Sequence, residues 1–347
     1  MKIGLAGFSG SGKSTVFQWL TGAAPDPSRI QHGQTGMAKL PDPRLDEVSK
    51  HFKPKKTTFA ELAFLDTPGL LLDERKDNPR RLAILREAVG LVVVLDGFGS
   101  NPLAEQLRRF REETLFADLE IVSNRVDRLQ TQLKKPKPGK EREKDEAELA
   151  LLQRIVASLE TGKSTSELGL AGDEEKQVRS FQLLTLKPEI VLVNRGDAEA
   201  LKKPLPADLL ALAPTAIQAC PKLELELAEL PDEDRAAFMQ DLGLQESDRA
   251  NVLQSIFNAM GRIVFITVGE DECRCWPLLK GADAVEGAGQ IHTDLANRFV
   301  RAEVVHWDDF VKCGYSMKEA KAKGVYHLEG KTYVVQDGDI VHILAST

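Results

Sequence analysis

The residues able to do chemistry fall in three short stretches. The first reads Gly7-Phe8-Ser9-Gly10-Ser11-Gly12-Lys13-Ser14 and fits G-x-x-x-x-G-K-[ST] at every fixed place. Glycines let such a backbone turn with its N–H groups pointing inward around a phosphate. A helix that follows adds its positive N-terminal end. Gly7, Ser9, Gly10, Ser11, Gly12, Lys13, Ser14 and Thr15 are therefore the expected phosphate cradle. The Lys13 ammonium can reach the outer phosphates, and the Ser14 hydroxyl can bind Mg²⁺. The second stretch is Asp66-Thr67-Pro68-Gly69, a D-x-x-G behind an apolar run. Asp66 can hold the Mg²⁺ shell through water, and the Gly69 N–H can meet a γ-phosphate and report its loss. The third is Asn194-Arg195-Gly196-Asp197, an N-x-x-D after another apolar run. Its carboxylate can accept two hydrogen bonds from guanine N1–H and the N2 amine, which adenine cannot offer. A polar site of this kind discriminates strongly, because the wrong base leaves buried groups unpaired. Each stretch also has a plainer reading as a turn or polar loop. The strand before and helix after the first, and the strands directly before the other two, favour the chemical reading.

These groups need elements to hold them. Ile3 and Leu5 begin a strand, and Val16, Phe17 and Leu20 keep helical spacing after the glycine-rich loop. Residues 22–36 are polar and rich in Gly and Pro, so they read as a loop where a nucleotide-sensing switch would lie. A rigid turn at 40–44 precedes a short helix over 45–52, and residues 59–65 form a strand that ends at Asp66. The run 91–95, LVVVL, suits a parallel strand buried on both faces, as does 189–193. Residues 216–222 supply the last strand and nucleotide loop, with Cys220 facing the nucleotide, and 232–242 a closing helix. Between these lies a different texture. Leu115, Leu119, Val122, Val126 and Leu129 recur every three or four residues, and so do Leu149, Leu152, Ile155, Val156 and Leu159. The Pro/Gly break at 134–142 folds the two helices back as an antiparallel coiled-coil hairpin. Its basic tip is either a phosphate-backbone contact or a solvated loop. Thr161-Gly162-Lys163-Ser164 echoes the first stretch but follows a helix and has Ala157 in place of the first glycine, so it reads as a helix end. From 262 the pattern is short strands at 263–268, 300–305 and 333–343 with a helix over 288–297, a small α+β module.

With 347 residues the chain is long enough for two or three domains. A net charge of −7 leaves any nucleic-acid contact to a local patch, with no specific DNA binding indicated. Four cysteines are few for this length and fit a reducing cytosol. Cys273-Arg274-Cys275 lacks a second ligand pair and reads as strand. A start directly in a strand leaves no room for a signal peptide, and no stretch approaches a membrane span. The expectation is a cytoplasmic protein with no membrane partner.

Over nearly its full length the sequence resembles the YchF/Obg-like P-loop NTPases. The matching stretches include TGMAKLPDPRLDEV, FADLEIVSNRVDRL, FQLLTLKPEIVLVN, IHTDLANRFVRAEVVHWDDF and LEGKTYVVQDGDIVH. The resemblance implies an α/β P-loop G domain, mainly a parallel sheet with flanking helices, at 1–102 and 181–260. It implies a helical coiled-coil insertion at 103–180 and a C-terminal β-grasp (TGS) domain at 262–346. It also implies slow nucleotide hydrolysis and contact with ribosomes or RNA. Several positions depart from the family pattern. Gly10 stands where the family carries the Asn associated with potassium, and Ile30 where it carries the switch threonine, with Thr35 nearby. The segment 71–81 replaces a Gly-rich one, and Cys220-Pro221-Lys222 stands where an S-A-K-like loop is expected. Leu70 occupies the place of the water-orienting glutamine, a hydrophobic substitution shared with the family's class. The family's N-x-x-E goes with ATP, whereas Asp197 points to GTP.

The combined expectation is a Mg²⁺-dependent triphosphatase switch acting on GTP or ATP. Lys13 and Gly69 serve catalysis, Ser14 and Asp66 the metal, and Asn194, Asp197 and Cys220 the base. The alternative is a nucleotide-sensing RNA- or ribosome-binding regulator with little hydrolysis. A metabolic kinase fits less well, because D-x-x-G and N-x-x-D suit a switch better than an acceptor pocket.

Overall fold

The computed structural model describes residues 1–72, 75–241 and 248–346. The chain forms two units, Met1–Gly36 with Ala63–Asp248 and Met37–Leu62 with Arg249–Thr347. The sequence reading put 1–102 in one domain, but 37–62 belong with the C-terminal residues. There the strand Lys56–Thr58 pairs in parallel with Glu272–Leu279. Arg44, on the helix Pro43–Phe52, binds Asp337 at 2.8 Å, and Phe52 stacks on Phe310.

The nucleotide-type elements belong to the first unit. The sheet that carries them runs Gln34–Leu40, Ala60–Asp66, Lys2–Ala6, Gly90–Asp96, Glu189–Asn194, Ile217–Ala219, with residues 37–40 and 60–62 of its first two strands counted in the second unit. The pairings from Ala60–Asp66 onward are all parallel. Gly90–Asp96 is buried along nearly its whole length, as expected of a central parallel strand covered on both faces. This arrangement brings the C-terminal ends of Lys2–Ala6, Ala60–Asp66 and Glu189–Asn194 to one edge, where ligands of open α/β sheets bind. It is a P-loop NTPase fold. The helix Lys13–Thr21 starts directly behind the glycine-rich loop and buries Val16, Phe17 and Leu20.

Two long helices, Leu103–Leu133 and Gly139–Glu160, form the inserted hairpin. Val122, Leu129, Leu152, Ile155 and Leu159 make its seam, with Val178 and Leu183 closing the base. The anchor at that base is ionic. Asp118, fully buried, accepts Arg86 Nη1 at 2.6 Å and both the N–H and hydroxyl of Thr185.

The second unit holds a mixed sheet in the order His327–Glu329, Phe299–Val305, Ile340–Ala345, Arg262–Thr267, Glu272–Leu279, Lys56–Thr58. The helix Ala284–Ile291, capped by Asp283, packs on it. Cys273 and Cys275 lie buried in a strand, as expected. Among the described residues no group of three His, Cys, Asp or Glu is placed to hold a metal. No described helix is long and apolar enough to cross a membrane.

Four local expectations change. Residues 22–36 contain a short helix, Pro27–Ile30, capped by Asp26, and the strand that begins at Gln34. Of 216–222, expected as a strand and nucleotide loop, Ile217–Ala219 is strand, and the loop is cut short because Pro221, with no N–H to give a ladder, opens the helix Pro221–Ala228. Of 333–343 only 340–343 is strand, the start of Ile340–Ala345. The first half of 333–343 is a turn in which Asp339 accepts from Tyr333 Oη and the Gln336 N–H. The helix expected at 288–297 begins at Ala284 and breaks at His292. The closing helix runs Asp232–Asp241, and Leu242 lies outside the described residues, as do residues 73–74 of the segment after D-x-x-G.

Candidate nucleotide site

The glycine-rich loop is held from three sides. Gly12 has φ +83°, a left-handed conformation, and a Cβ there would stand 2.1 Å from Asn194 Nδ2. That amide donates to Ser11 O at 3.0 Å, so the N-x-x-D strand braces the loop directly. On the opposite side Leu70 pairs with it: the Leu70 N–H donates to Gly7 O, and Ser9 N–H donates to Leu70 O at 2.8 Å. Gly69 is pressed onto the same backbone. A Cβ at Gly69 would lie 2.5 Å from Ser9 N and 2.7 Å from Lys13 Nζ, so no other residue fits without displacing the loop. From below, Trp19 Nε1 binds Glu224 and fixes the following helix to Pro221–Ala228.

The centre of the site holds two ionisable groups of opposite sign. Lys13, 5% exposed, donates to Phe8 O at 2.7 Å. Burial pulls its pKa down to about 8; Asp66 opposes that shift and Arg81 adds to it. Asp66 has no exposed surface, and neither of its carboxylate oxygens is held by a hydrogen bond of good geometry, although the Ser14 hydroxyl and the Thr67 N–H lie close enough to lower its pKa. Burial raises its pKa, against smaller downward pulls from Ser14 and Lys13. Burying a carboxylate with so little hydrogen bonding is costly. Asp66 and the neighbouring Ser14 hydroxyl are an all-oxygen donor set of the kind Mg²⁺ takes, and a hard cation would satisfy both orphaned oxygens. The residues present fit that ion.

At the base end the sequence reading is only partly matched. Asn194, 4% exposed, is committed through Nδ2 to the loop. Asp197 is exposed and caps the helix Ala198–Lys202, with Oδ1 accepting the Ala200 N–H at 2.7 Å. Cys220 is buried at the N-cap of Pro221–Ala228. Its thiol is pushed up by burial, with Asp197 contributing, which places the two residues near one another. An aromatic residue escaped the sequence reading. Phe98 is 54% exposed, lying beside Gly196 and within reach of Gly12. Asp96 fixes it by accepting the N–H groups of Phe98 and Gly99. A large exposed ring thus stands between the glycine-rich loop and N-x-x-D. Its signal in the sequence was only an aromatic two residues after a buried strand.

Residues 2–125 match the family model MMR_HSR1, described as 50S ribosome-binding GTPase. Residues 263–346 match YchF-GTPase_C, described as Protein of unknown function (DUF933). The Ribosome-binding ATPase YchF of Haemophilus ducreyi is 32% identical, over 98% of this chain and 98% of that protein. Obg-like ATPase 1 of Oryza sativa subsp. japonica is 31% identical, over 98% of this chain and 91% of its own length. The structure of the Schizosaccharomyces pombe YchF GTPase aligns with a TM-score of 0.81 at 25% identity, covering 99% of this chain and 97% of that one. A phosphate loop braced by the D-x-x-G and N-x-x-D segments, together with similarity along the whole length, makes this chain a member of the YchF family of P-loop NTPases.

Proposed function

We propose that the chain is a Mg²⁺-dependent switch that hydrolyses the β–γ bond of GTP or ATP slowly and couples nucleotide state to the ribosome. The observation that carries the reading is the orphaned Asp66 carboxylate beside Lys13. Without a ligand, burial disfavours the charged form of each. A metal–triphosphate would supply the missing partner of both. Mg²⁺ held by Ser14 and, through its shell, by Asp66 would neutralise charge on the β- and γ-phosphate oxygens. The backbone N–H groups of Gly10, Ser11, Gly12 and Lys13 and the Lys13 ammonium bind the phosphates. The Gly69 N–H senses the γ-phosphate. The base stacks on Phe98 and is read by Asn194 and Asp197 beside Cys220. Asp197 keeps one oxygen, Oδ2, clear of the helix cap, which supports a guanine contact weaker than the paired one expected from sequence. The relatives named as ATPases support adenine.

The matches described as ribosome-binding support a ribosomal partner. So does the hairpin tip, where Lys134, Lys135 and Lys140 make no ion pair among the described residues. We take the insertion 103–180 and the module 262–346 as the parts that contact ribosomal RNA, which places the activity in the cytoplasm. A second reading, a nucleotide-sensing regulator with little hydrolysis, is favoured by Leu70. It is 1% exposed and bonded into the phosphate loop, where a water-orienting side chain would otherwise stand.

Equilibrium binding of fluorescent GTP and ATP analogues with Mg²⁺ tests the base assignment. Tighter GTP binding that weakens in Asp197→Glu supports Asp197 as reader. ATP binding equal or tighter and indifferent to that change rules it out.

A further inference from the structure

The mechanism above leaves a cation unused. Arg81 lies on the helix Asn78–Leu85, which is fastened to the D-x-x-G segment at its first residue. The Asn78 side chain, 1% exposed, accepts the Leu71 N–H at 2.9 Å and donates to Leu71 O at 3.0 Å and Glu113 Oε2 at 2.9 Å. From that footing Arg81 Nη1 donates to the carbonyl of Gly69. Gly69 is the residue whose Cα faces Lys13 Nζ. Arg81 is close enough to Lys13 for its charge to help hold the ammonium pKa down. It is half-buried, makes no ion pair among the described residues, and its Nε and Nη2 have no hydrogen-bond partner among them. Two cations thus crowd a site with one nearby carboxylate, Asp66. An anion would relieve that imbalance, and the oxygens of a γ-phosphate come to this place. Leu70 supplies no polar group to do the same work. Arginine suits it because its planar fork stays protonated and presents several donors to phosphate oxygens.

We propose that Arg81 is a catalytic residue, an arginine supplied within the chain that takes up charge on the transferring γ-phosphoryl oxygens; the proposal rests on the triphosphatase reading above. In the step, the bond from the water oxygen to Pγ forms and the bond from Pγ to the β–γ bridging oxygen breaks. The electron pair leaves with the nucleoside diphosphate, and the water's proton ends on the released inorganic phosphate. Arg81 transfers no proton in this step and donates to the equatorial oxygens. Its hold on Gly69 O brings it to the site before the nucleotide arrives.

The test compares the full chain with its Arg81→Ala and Arg81→Lys variants in single-turnover hydrolysis of GTP and ATP with Mg²⁺. It also measures binding of a non-hydrolysable triphosphate and of the diphosphate with aluminium fluoride, which mimics the transferring group. Arg81→Ala is expected to lower the hydrolysis rate by about 10³-fold, the scale of an arginine acting on a phosphoryl group. Triphosphate affinity stays within about threefold, since the lost contact belongs to the transition state. Binding of the aluminium fluoride complex is lost, and Arg81→Lys restores little of either. Arg81→Ala hydrolysing within about tenfold of the unaltered chain overturns the proposal. So does a parallel fall in hydrolysis, triphosphate binding and melting temperature, which would make Arg81 a structural latch. If the unaltered chain itself does not hydrolyse, or Lys13→Ala hydrolyses equally well, the triphosphatase reading fails and the role of Arg81 falls with it.

Discussion

Asp66→Asn separates a carboxylate kept for a ligand from one kept for the fold. The side chain is fully buried, and neither oxygen has a hydrogen bond of good geometry, with only the Ser14 hydroxyl and the Thr67 N–H near it. Its folded pKa is raised above the unfolded value, chiefly by burial. Folding therefore favours the protonated form. The stability this group contributes is fully present below the ordinary carboxylate range and is lost as pH rises through the folded pKa. At neutral pH the nucleotide-free protein carries the penalty, and the uncharged, isosteric amide should relieve part of it. Leaving a buried polar group unpaired costs about 1–3 kcal/mol, more when charged, so the variant is expected to gain about 1 kcal/mol. That is about 2–4 °C in the midpoint of a domain of this size. Mg²⁺ and nucleotide should invert the order. A ligand at 100 times its Kd stabilises by about 2.7 kcal/mol, and the variant, with its metal site weakened, should gain much less. Calorimetry in EDTA and in Mg²⁺–nucleotide, at neutral and acidic pH, reads all of this. The two midpoints in EDTA should converge as the pH falls. A variant less stable than the parent in EDTA, or one that gains equally from Mg²⁺–nucleotide, would refute the reasoning.

Three further outcomes follow from other parts of the site. On the proposed reading Lys13 meets phosphate as the ammonium, and burial pulls its pKa down to about 8 in the free site. Triphosphate affinity should therefore fall about tenfold between pH 7 and pH 9 in titrations, a decline that Lys13→Arg removes. Phe98→Ala should weaken GTP or ATP binding by about 1–3 kcal/mol through lost stacking while leaving inorganic triphosphate binding unchanged, as competition binding will show. Asp118→Ala leaves the half-buried Arg86 with only the Gln182 and Ala117 carbonyls and unties Thr185 at the hairpin base. Denaturant unfolding should register a loss of about 3–5 kcal/mol.

The phosphate loop was legible because its spacing is local: eight consecutive residues fix both the turn and the lysine. The buried strand 91–95 and the hairpin seam were legible for a similar reason, since continuous or three-to-four periodicity records burial directly. What escaped depends on residues distant in sequence. Arg81 reaches Gly69 across twelve residues, and only the Asn78 anchor makes that reach specific. Phe98 gains meaning from Gly12 and Gly196, far from it in the chain. Asp197 met the spacing rule, yet its carboxylate also caps a helix, a competition that N-x-x-D cannot express. The helix Arg249–Ala259 was passed over although it buries Val252, Leu253, Ile256 and Phe257, because its polar flanks resemble a linker. The segment 37–62 was assigned by its neighbours in sequence, whereas Arg44–Asp337 and Phe52–Phe310 tie it to the C-terminal unit.

The central claim is that a metal-bound triphosphate completes the Lys13–Asp66 site and is then cleaved. The most direct measurement is phosphate release from GTP and from ATP by the purified chain under single-turnover conditions, in Mg²⁺ and in EDTA, with and without ribosomes. The account requires slow release that depends on Mg²⁺, vanishes in Lys13→Ala and accelerates with ribosomes. Release that persists in EDTA, survives the loss of Lys13, or is brisk and indifferent to ribosomes would contradict it.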